Sequence, residues 1–495
     1  MRYLLTESAV LALGAAAIGI VIAWGSIQLA RTTGSVYIPR ANEIVLGGRT
    51  LVVLVAVTII SATMFGLIPA IHGTGGSVEE GLRGTGRSST GSRAVRRLRG
   101  VLVAGQFAIA TPLLVVAGLL LVTLNHLGRV NLGFDTHNVL TGSIALPSAQ
   151  YRDAAQVITF WERLRTAAVE VPGVTAVAFT DSRPPADAGN QNNFDLEDAP
   201  AGPGSQSVTT WVDVTPEYFG LFAQRLIEGR LLDSRDAATT SPSVIVVDEA
   251  WARRFFPGQS AVGKRLKSGG CSRCDWTTVV GVVSIVKYDG LNAADAGVVY
   301  SPMAERGEEL TNAFSSRSRY LVVRTAAAPE SVLPQLRRVL REIDPSLPFS
   351  RVATIDELVA SSLEQPRGLS LLVGALALVA LVLSIVGIYG VMAHYVQQQA
   401  KDISIRLALG GSPGSVLRLM IGRGMSLVIW GVVVGAGAAF AVARLMSSLF
   451  FGVTAGDPAT FSFVVFLMVA VALLACAVPA MRASALEPAV VLRND

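Results

Sequence analysis

The sequence is poor in the residues that staple small secreted folds or hold metal ions. Among 495 residues there are three cysteines (Cys271, Cys274, Cys476) and four histidines (His72, His126, His137, His394). Three cysteines cannot build a disulfide scaffold, and four scattered histidines offer no His-based ligand spacing, so no metal or other cofactor is expected. Charge is scarce as well: charged residues make up 16%, against roughly 25% in a soluble domain. Hydrophobic residues reach 51% and mean hydropathy is +0.51. A single water-soluble globule is excluded. The N-terminal apolar run follows one basic residue, Arg2, and exceeds the roughly 7–15 residues of a secretory h-region, so it reads as a retained span.

Apolar runs able to cross about 30 Å of hydrocarbon, roughly 20 residues each, lie at Ser8–Ala30, Leu51–Ile71, Gly100–Leu124, Leu369–His394, Leu417–Leu445 and Phe461–Pro479. The pattern predicts a multi-pass α-helical membrane protein of six spans. Lys and Arg are retained on the cytoplasmic side, and the loop Gly73–Arg99 holds Arg83, Arg87, Arg93, Arg96, Arg97 and Arg99. Alternation then puts both termini inside the cell and residues 125–368 outside. The charge distribution agrees: Asn125 to Gly368 carries 24 Lys/Arg and 28 Asp/Glu, a balance of −4, while the remainder carries +9.

Inside the spans ionisable groups are nearly absent. Glu7, His394, Arg418, Arg423 and Arg444 sit near span ends, whereas ion-coupled carriers and proton pumps need intramembrane charge. Gly431 and Gly435 form a GxxxG in the fifth span; this pattern fits either a specific helix dimer face or the ordinary frequency of small residues in membrane helices.

The two ends of the chain repeat each other. Pro69-Ala70 followed by Leu82-Arg83, and Pro479-Ala480 followed by Leu492-Arg493, share one offset of 410 residues. Each pair closes a hairpin of two spans, so the N-terminal hairpin is a copy of the C-terminal one. The expected organisation is a hairpin and Arg-rich linker at 1–99, a third span at 100–124, an exterior domain at 125–368 and three further spans at 369–495. Gly100–Asp495 is then one complete four-span unit, preceded by the last half of a second.

The exterior segment alternates strand-like and amphipathic helical runs. Val174–Thr180, Val208–Val214, Ser243–Glu249, Trp276–Val286, Gly297–Pro302 and Tyr320–Thr325 read as strands, and Arg152–Glu170, Glu249–Phe256 and Pro329–Ile343 as helices. Their arrangement predicts a large extracytoplasmic α+β domain of two lobes. The stretch Pro184–Ser207, rich in Asp, Ala, Gly, Pro and Asn, reads as a mobile loop. A last helical stretch, Ile355–Glu364, leads straight toward the fourth span and suits a lever.

Three motifs mimic chemistry. GQSAVGK (Gly258 to Lys264) matches a phosphate-binding loop, but Arg265 stands where Ser or Thr must hold Mg²⁺, so a helix-to-strand turn is expected. Gly410 to Gly414 fits GxSxG without a preceding strand or partnered His. Cys271 and Cys274 form CSRC in the exported domain, giving a local disulfide or two free thiols rather than a zinc site. No triad or dinucleotide fingerprint is present, and the chain is not expected to be an enzyme. No basic groove points to nucleic acid.

The segment after the fourth span, QQQAKDISIRLALGGSPGSVLRLMIGRGM, is the most informative. Asp402 and Arg406, like Ile405 and Leu409, stand at i,i+4 and share helix faces; Gly410-Gly411 supplies a stop, and Ser412-Pro413 starts the next helix. A short amphipathic helix at the inner membrane face results. It either offers charge and apolar surface to a soluble partner or rests on lipid.

KDISIRLALGGSPGSVLRLMI resembles the coupling helix of MacB/FtsX-type ABC transporter permeases. The stretches FFPGQSAVGKRL, WTTVVGVVSIVKYDGL, YLVVRT and LRRVLREIDPSLPFSRVATIDELV are similar to the MacB-like periplasmic core domain, and VPAMRASALEPAVVLR to the family's tail. The internal repeat is similar to that of the duplicated permeases of this family. The resemblance implies a bacterial inner-membrane permease that pairs with a cytoplasmic ABC ATPase and turns ATP-driven closure into motion of the exterior domain. It places Lys401, Asp402, Ile405, Arg406, Leu409 and Gly410 at the ATPase contact, with Asp402 where the family usually has Glu. Besides lipid, a second permease unit or a homodimer is the further partner. Export or extraction of a substrate is the implied task; the alternatives are regulation of an extracytoplasmic partner such as a cell-wall hydrolase, or a non-functional half-duplicate.

Overall fold

A computed structural model describes residues 2–33, 47–74, 90–187, 189–198, 207–236, 243–271, 274–292, 297–303, 317–399, 403, 405, 409 and 412–484. In chain order come helices α1 (Arg2–Thr33), α2 (Gly48–Thr74) and α3 (Thr90–Leu127). They are followed by β1 (Val139–Ala145), α4 (Ala154–Val169), β2 (Val174–Thr180), β3 (Asn190–Leu196), β4 (Ser207–Val214), α5 (Glu217–Leu221), β5 (Leu226–Gly229), β6 (Val244–Asp248), α6 (Glu249–Phe255), β7 (Arg265–Ser268), β8 (Thr277–Val283), β9 (Val298–Pro302), β10 (Ser318–Thr325), α7 (Leu333–Ile343), β11 (Ser350–Thr354) and α8 (Ile355–Ser362). Last come α9 (Glu364–Gln398), α10 (Pro413–Leu445) and α11 (Pro458–Ser484). Two compact units result: Leu127–Leu363, and the helical segments on either side of it.

The Leu127–Leu363 unit is α+β with two lobes. One lobe is the antiparallel sheet β11-β1-β10-β2, drawn from both ends of the segment. The amphipathic helices α4 and α7 bury Val157, Phe160, Trp161, Leu164, Leu336 and Leu340 on it. Asp153 caps α4 by accepting from the Gln156 amide at 2.9 Å. The other lobe is inserted between β2 and β10. Its pairings run β4-β3-β7-β8-β6-β9, and β9 returns to pair in parallel with β4, so six strands close on themselves. Closure leaves these strands few free edges for another chain. Phe194, Val247, Trp251, Phe256 and Leu266 form a core of this lobe. Between the lobes the sheet is joined by the Thr180–Val214 pair of β2 and β4.

One expectation is corrected here. The stretch Pro184–Ser207 contains a paired strand, β3, held between β4 and β7. Its first four residues are polar and exposed, which hides the strand from a composition argument, but Phe194 and Leu196 alternate inward at 1% and 6% exposure. Strands β1, β5, β7 and β11 also lie outside the predicted runs. The GQSAVGK stretch is the turn from α6 to β7, with the Gly263 amide donating to the Val279 carbonyl at 2.8 Å. Gly258 and Gly263 adopt φ of 74° and 86°, which glycine tolerates without strain. Lys264 is ion-paired with Asp198. Cys271 and Cys274 form a disulfide between β7 and β8, with Cα atoms 5.6 Å apart.

Five stretches among the described residues are long and apolar enough to cross a membrane: Ala9–Gln28, Arg99–Leu127, Ile355–Gln398, Gly414–Leu445 and Pro458–Arg482. In α2 the described apolar stretch, Gly48–Ile60, is shorter. Helices α3, α9, α10 and α11 share one core, including Phe107, Ala110, Met392, Val428, Ala439, Met468, Ala472 and Cys476. The GxxxG serves this bundle from within the chain. A Cβ added at Gly431 would lie 2.5 Å from the Ala104 carbonyl oxygen, and one at Gly435 would lie 2.7 Å from Thr111 Cβ. That face of α10 is therefore filled by α3, and close backbone approach is what the small residues permit.

Candidate functional site

The candidate site is the turn between α9 and α10. At the end of α9 the Tyr395 hydroxyl donates to Gln399 Oε1 at 2.5 Å, and Arg423 of α10 stacks its guanidinium 5.3 Å from the Tyr395 ring centre. This cation–π contact ties the two helices where the turn leaves them. The Ile403 amide donates to the Gln399 carbonyl at 2.9 Å, carrying helical geometry past α9. Ile403 itself is buried at 6% exposure in the bundle core beside Val416 and Met420.

Two residues further on the apolar side chains reverse their role. Ile405 is 41% exposed and Leu409 is 82% exposed, and the Leu409 amide donates to the Ile405 carbonyl at 3.0 Å. The pair stands one helical turn apart on one outward face, anchored by Ile403. Of the residues the motif singles out, Ile405 and Leu409 are brought together; Lys401, Asp402, Arg406 and Gly410 lie outside the described residues. Ile403 is the buried residue of this turn that the motif reading did not single out. Its signal is the alternation Ile403, Ile405, Leu407, Leu409, which places one isoleucine out of phase with the exposed pair. Ser412 occupies the N-cap position of α10 with Pro413 at the first turn, yet its side chain makes no capping bond. Its carbonyl instead accepts from the Ser415 amide at 3.0 Å and the Ser415 hydroxyl at 2.6 Å.

A second polar constellation lies at the seam between the lobes. The Asp213 amide and the Asn190 side chain each donate to the Asp181 carboxylate at 3.1 Å, and Ser301 donates to Asp213 Oδ1 at 2.5 Å. Burial, reinforced by the nearby Asp213 charge, raises the Asp181 carboxyl to about 7, well above the usual carboxylate range. Arg183 lies two residues away. It donates to Asp187 at 2.9 Å and to the Arg351 carbonyl at 3.1 Å, and stacks 4.2 Å from the Tyr320 ring centre. Among the described residues no cluster of three or more His, Cys, Asp or Glu could hold a metal ion.

An α+β unit inserted in chain order between α3 and α9, with apolar helices long enough to cross a membrane on both sides of it, is the architecture of a membrane protein carrying a folded domain. Residues 103–342 match the family described as MacB-like periplasmic core domain, and residues 374–488 match the FtsX-like permease C-terminal domain. The chain belongs to the MacB/FtsX-type ABC transporter permeases. It is 24% identical over 235 residues to the macrolide export ATP-binding/permease protein MacB of Neisseria gonorrhoeae, covering 47% of this chain and 35% of that protein. It is 25% identical over 295 residues to the uncharacterized ABC transporter permease YvrN of Bacillus subtilis, covering 57% of this chain and 69% of YvrN. The chain thus spans about a third of the length of the MacB proteins it matches. The periplasmic region of MacB from Actinobacillus actinomycetemcomitans superposes with TM-score 0.31 at 15% identity, covering 46% of this chain and 94% of that one.

Proposed function

We propose that this chain is the permease component of an ABC transporter, moved from the cytoplasmic side by a separate ATPase that grips the turn between α9 and α10. In this reading six helices cross the inner membrane, both termini are cytoplasmic, and Leu127–Leu363 is extracytoplasmic. The chain hydrolyses nothing itself. ATP-driven closure of the motor displaces α9, and the displacement passes through α8 into the exterior domain, so that motion rather than a pore exports or extracts a substrate. Helix α8 suits this part because it begins in a capping box at Thr354 and Glu357, buries Ile355 completely in the domain core and ends one residue before α9.

The observation that carries the reading is the split role of one short segment. Ile403 is sunk in the bundle while Ile405 and Leu409 stand exposed, so force on the exposed pair reaches the bundle through a packed side chain. Lys401, Asp402 and Arg406 would add charge complementarity to that contact, which sets orientation and partner choice more than affinity. The test is copurification of the tagged chain with its ATPase from membranes. Leu409→Glu and Arg406→Glu should each abolish capture while the chain accumulates normally. Undiminished capture by both variants refutes the proposal.

A further inference from the structure

The four helices that share the bundle core carry almost no negative charge. Across α3, α9, α10 and α11 the only acidic residue is Glu364, the first residue of α9. Basic side chains gather at the other end of the same bundle. Gly387 of α9 meets Gln106 of α3; seven residues on in α9, His394 lies within the field of Arg99, seven residues back in α3. Gly100, next to Arg99, touches Leu427 of α10. One turn before Leu427 stands Arg423, stacked on Tyr395 of α9. Arg99 and Arg423 thus lie within about one turn of each other where three helices converge.

Among the described residues no carboxylate is ion-paired with either guanidinium. Arginine stays protonated, and two cations held this close repel each other unless an anion joins them. A guanidinium stacked by its face also keeps its N–H donors at the edge, in the geometry that suits phosphate. Beside Arg423 the surface turns apolar. Trp430 and Val434 follow it at i+7 and i+11 on the same face of α10 and are 70% and 60% exposed. One level of this surface calls for negative charge and the next two turns for hydrocarbon, with a tryptophan at the boundary as membrane interfaces favour. A free phosphate meets only the first demand; an amphiphile meets both. We propose that Arg99 and Arg423, with Tyr395 beside them, hold the phosphate of an anionic phospholipid whose acyl chains lie along Trp430 and Val434. This rests on the reading of α3, α9 and α10 as spans whose basic ends lie at the cytoplasmic leaflet, where anionic headgroups attract basic clusters, and it gives that reading a specific lipid partner.

The test uses the full chain purified in detergent, without an ATPase, and reads lipid retention by native mass spectrometry. Dioleoyl phosphatidylglycerol and dioleoyl phosphatidylcholine are offered in equal amounts, and the chain should retain the first over the second. The double variant Arg99→Gln, Arg423→Gln should hold phosphatidylglycerol about thirtyfold more weakly, the loss expected when two basic side chains leave an anionic headgroup. Arg367→Gln, at the exposed start of α9, should retain it as the unaltered chain does, and inorganic phosphate should not displace it. Equal retention of the two lipids, undiminished retention in the double variant, an equal loss in Arg367→Gln, or displacement by inorganic phosphate, which would mark a free-anion site, would each overturn the proposal. Should the double variant fail to accumulate, a phosphatidylglycerol carrying a diazirine decides the matter on the unaltered chain. Its crosslinks should fall on α10 around Trp430, and crosslinks confined elsewhere refute the site. ATPase capture is not read, so loss of lipid binding leaves the α9–α10 grip standing, and loss of that grip leaves lipid retention measurable.

Discussion

In the exterior unit the largest fully buried side chains are Trp251, Tyr218, Tyr300, Phe179, Phe194, Phe219 and Phe222, while the core of the helical unit includes, beside its Val, Leu and Met, Ala110, Ala439, Ala443, Ala472 and Ala480. The difference follows from the solvent. An aqueous domain gains stability by removing large apolar area from water, roughly 25 cal/mol for each Å², so big rings and branched chains fill it. Lipid is as apolar as leucine, and helices there associate through close backbone approach, which small residues allow. Where the helical unit does bury an aromatic, Phe107, it faces a glycine, Gly431.

The largest expected effects come from exchanging these two logics. Trp251 is fully buried and meets Phe194, Phe255 and Phe256 at ring-centre distances of 5.8, 5.1 and 5.8 Å. Trp251→Ala should destabilise the exterior domain by about 3–5 kcal/mol, read as a lower temperature for its proteolysis in membranes. Gly431→Leu adds bulk instead. It should cost about 1–3 kcal/mol through overpacking against Ala104 and Phe107 and appear as loss of the folded helical unit in detergent, with the exterior domain unchanged. If Gly431→Leu were neutral, the small-residue account of the bundle would fail.

A smaller effect separates the units by pH. The Asp181 carboxyl is raised to about 7 by burial and by Asp213, so the folded domain keeps a proton that the unfolded chain has released above about 4. The stabilisation is complete below about pH 4 and is lost as pH rises through about 7. Thermal stability of the exterior domain should therefore fall across that interval, and Asp181→Asn should flatten the slope. A slope that survives in Asp181→Asn would place its source elsewhere.

Much of this was legible in residue order because the signals were long or repeated. The apolar runs marked α1, α3, α9, α10 and α11, and the 410-residue offset at Pro69 and Pro479 anticipated matching helix bounds. Periodicity found β2, β4, β6, β8, β9 and β10, whose inward positions carry Val, Ile, Tyr and Phe. It missed β3, whose leading Asn-Gln-Asn-Asn faces solvent, and β5 and β7, which at four residues each show too few alternations to stand out. The i,i+4 spacing of Ile405 and Leu409 anticipated one shared face, and both side chains are exposed. Spacing could not identify Ile403 as their anchor, because whether an isoleucine in an amphipathic turn points in or out is decided by the packing of α10 and α11. The seam at Asp181 was silent for the same reason: Asp213 and Ser301 come from other strands.

Helix starts give the smallest and sharpest contrast between the units. Thr354 caps α8 in full, its hydroxyl accepting from the Glu357 amide at 3.1 Å while Glu357 accepts from the Thr354 amide at 2.8 Å. Removing such a cap costs typically about 1 kcal/mol, so Thr354→Ala should lower the stability of the exterior domain by about that amount. Ser412 holds the same position at α10 and makes no side-chain cap bond, and Pro413 after it has no amide to satisfy. Ser412→Ala should therefore change the thermal stability of the helical unit by no more than a few tenths of a kcal/mol, as surface substitutions away from specific contacts do. A loss near 1 kcal/mol at Ser412 would show that its hydroxyl turns to the helix in the membrane, and would make the two starts equivalent.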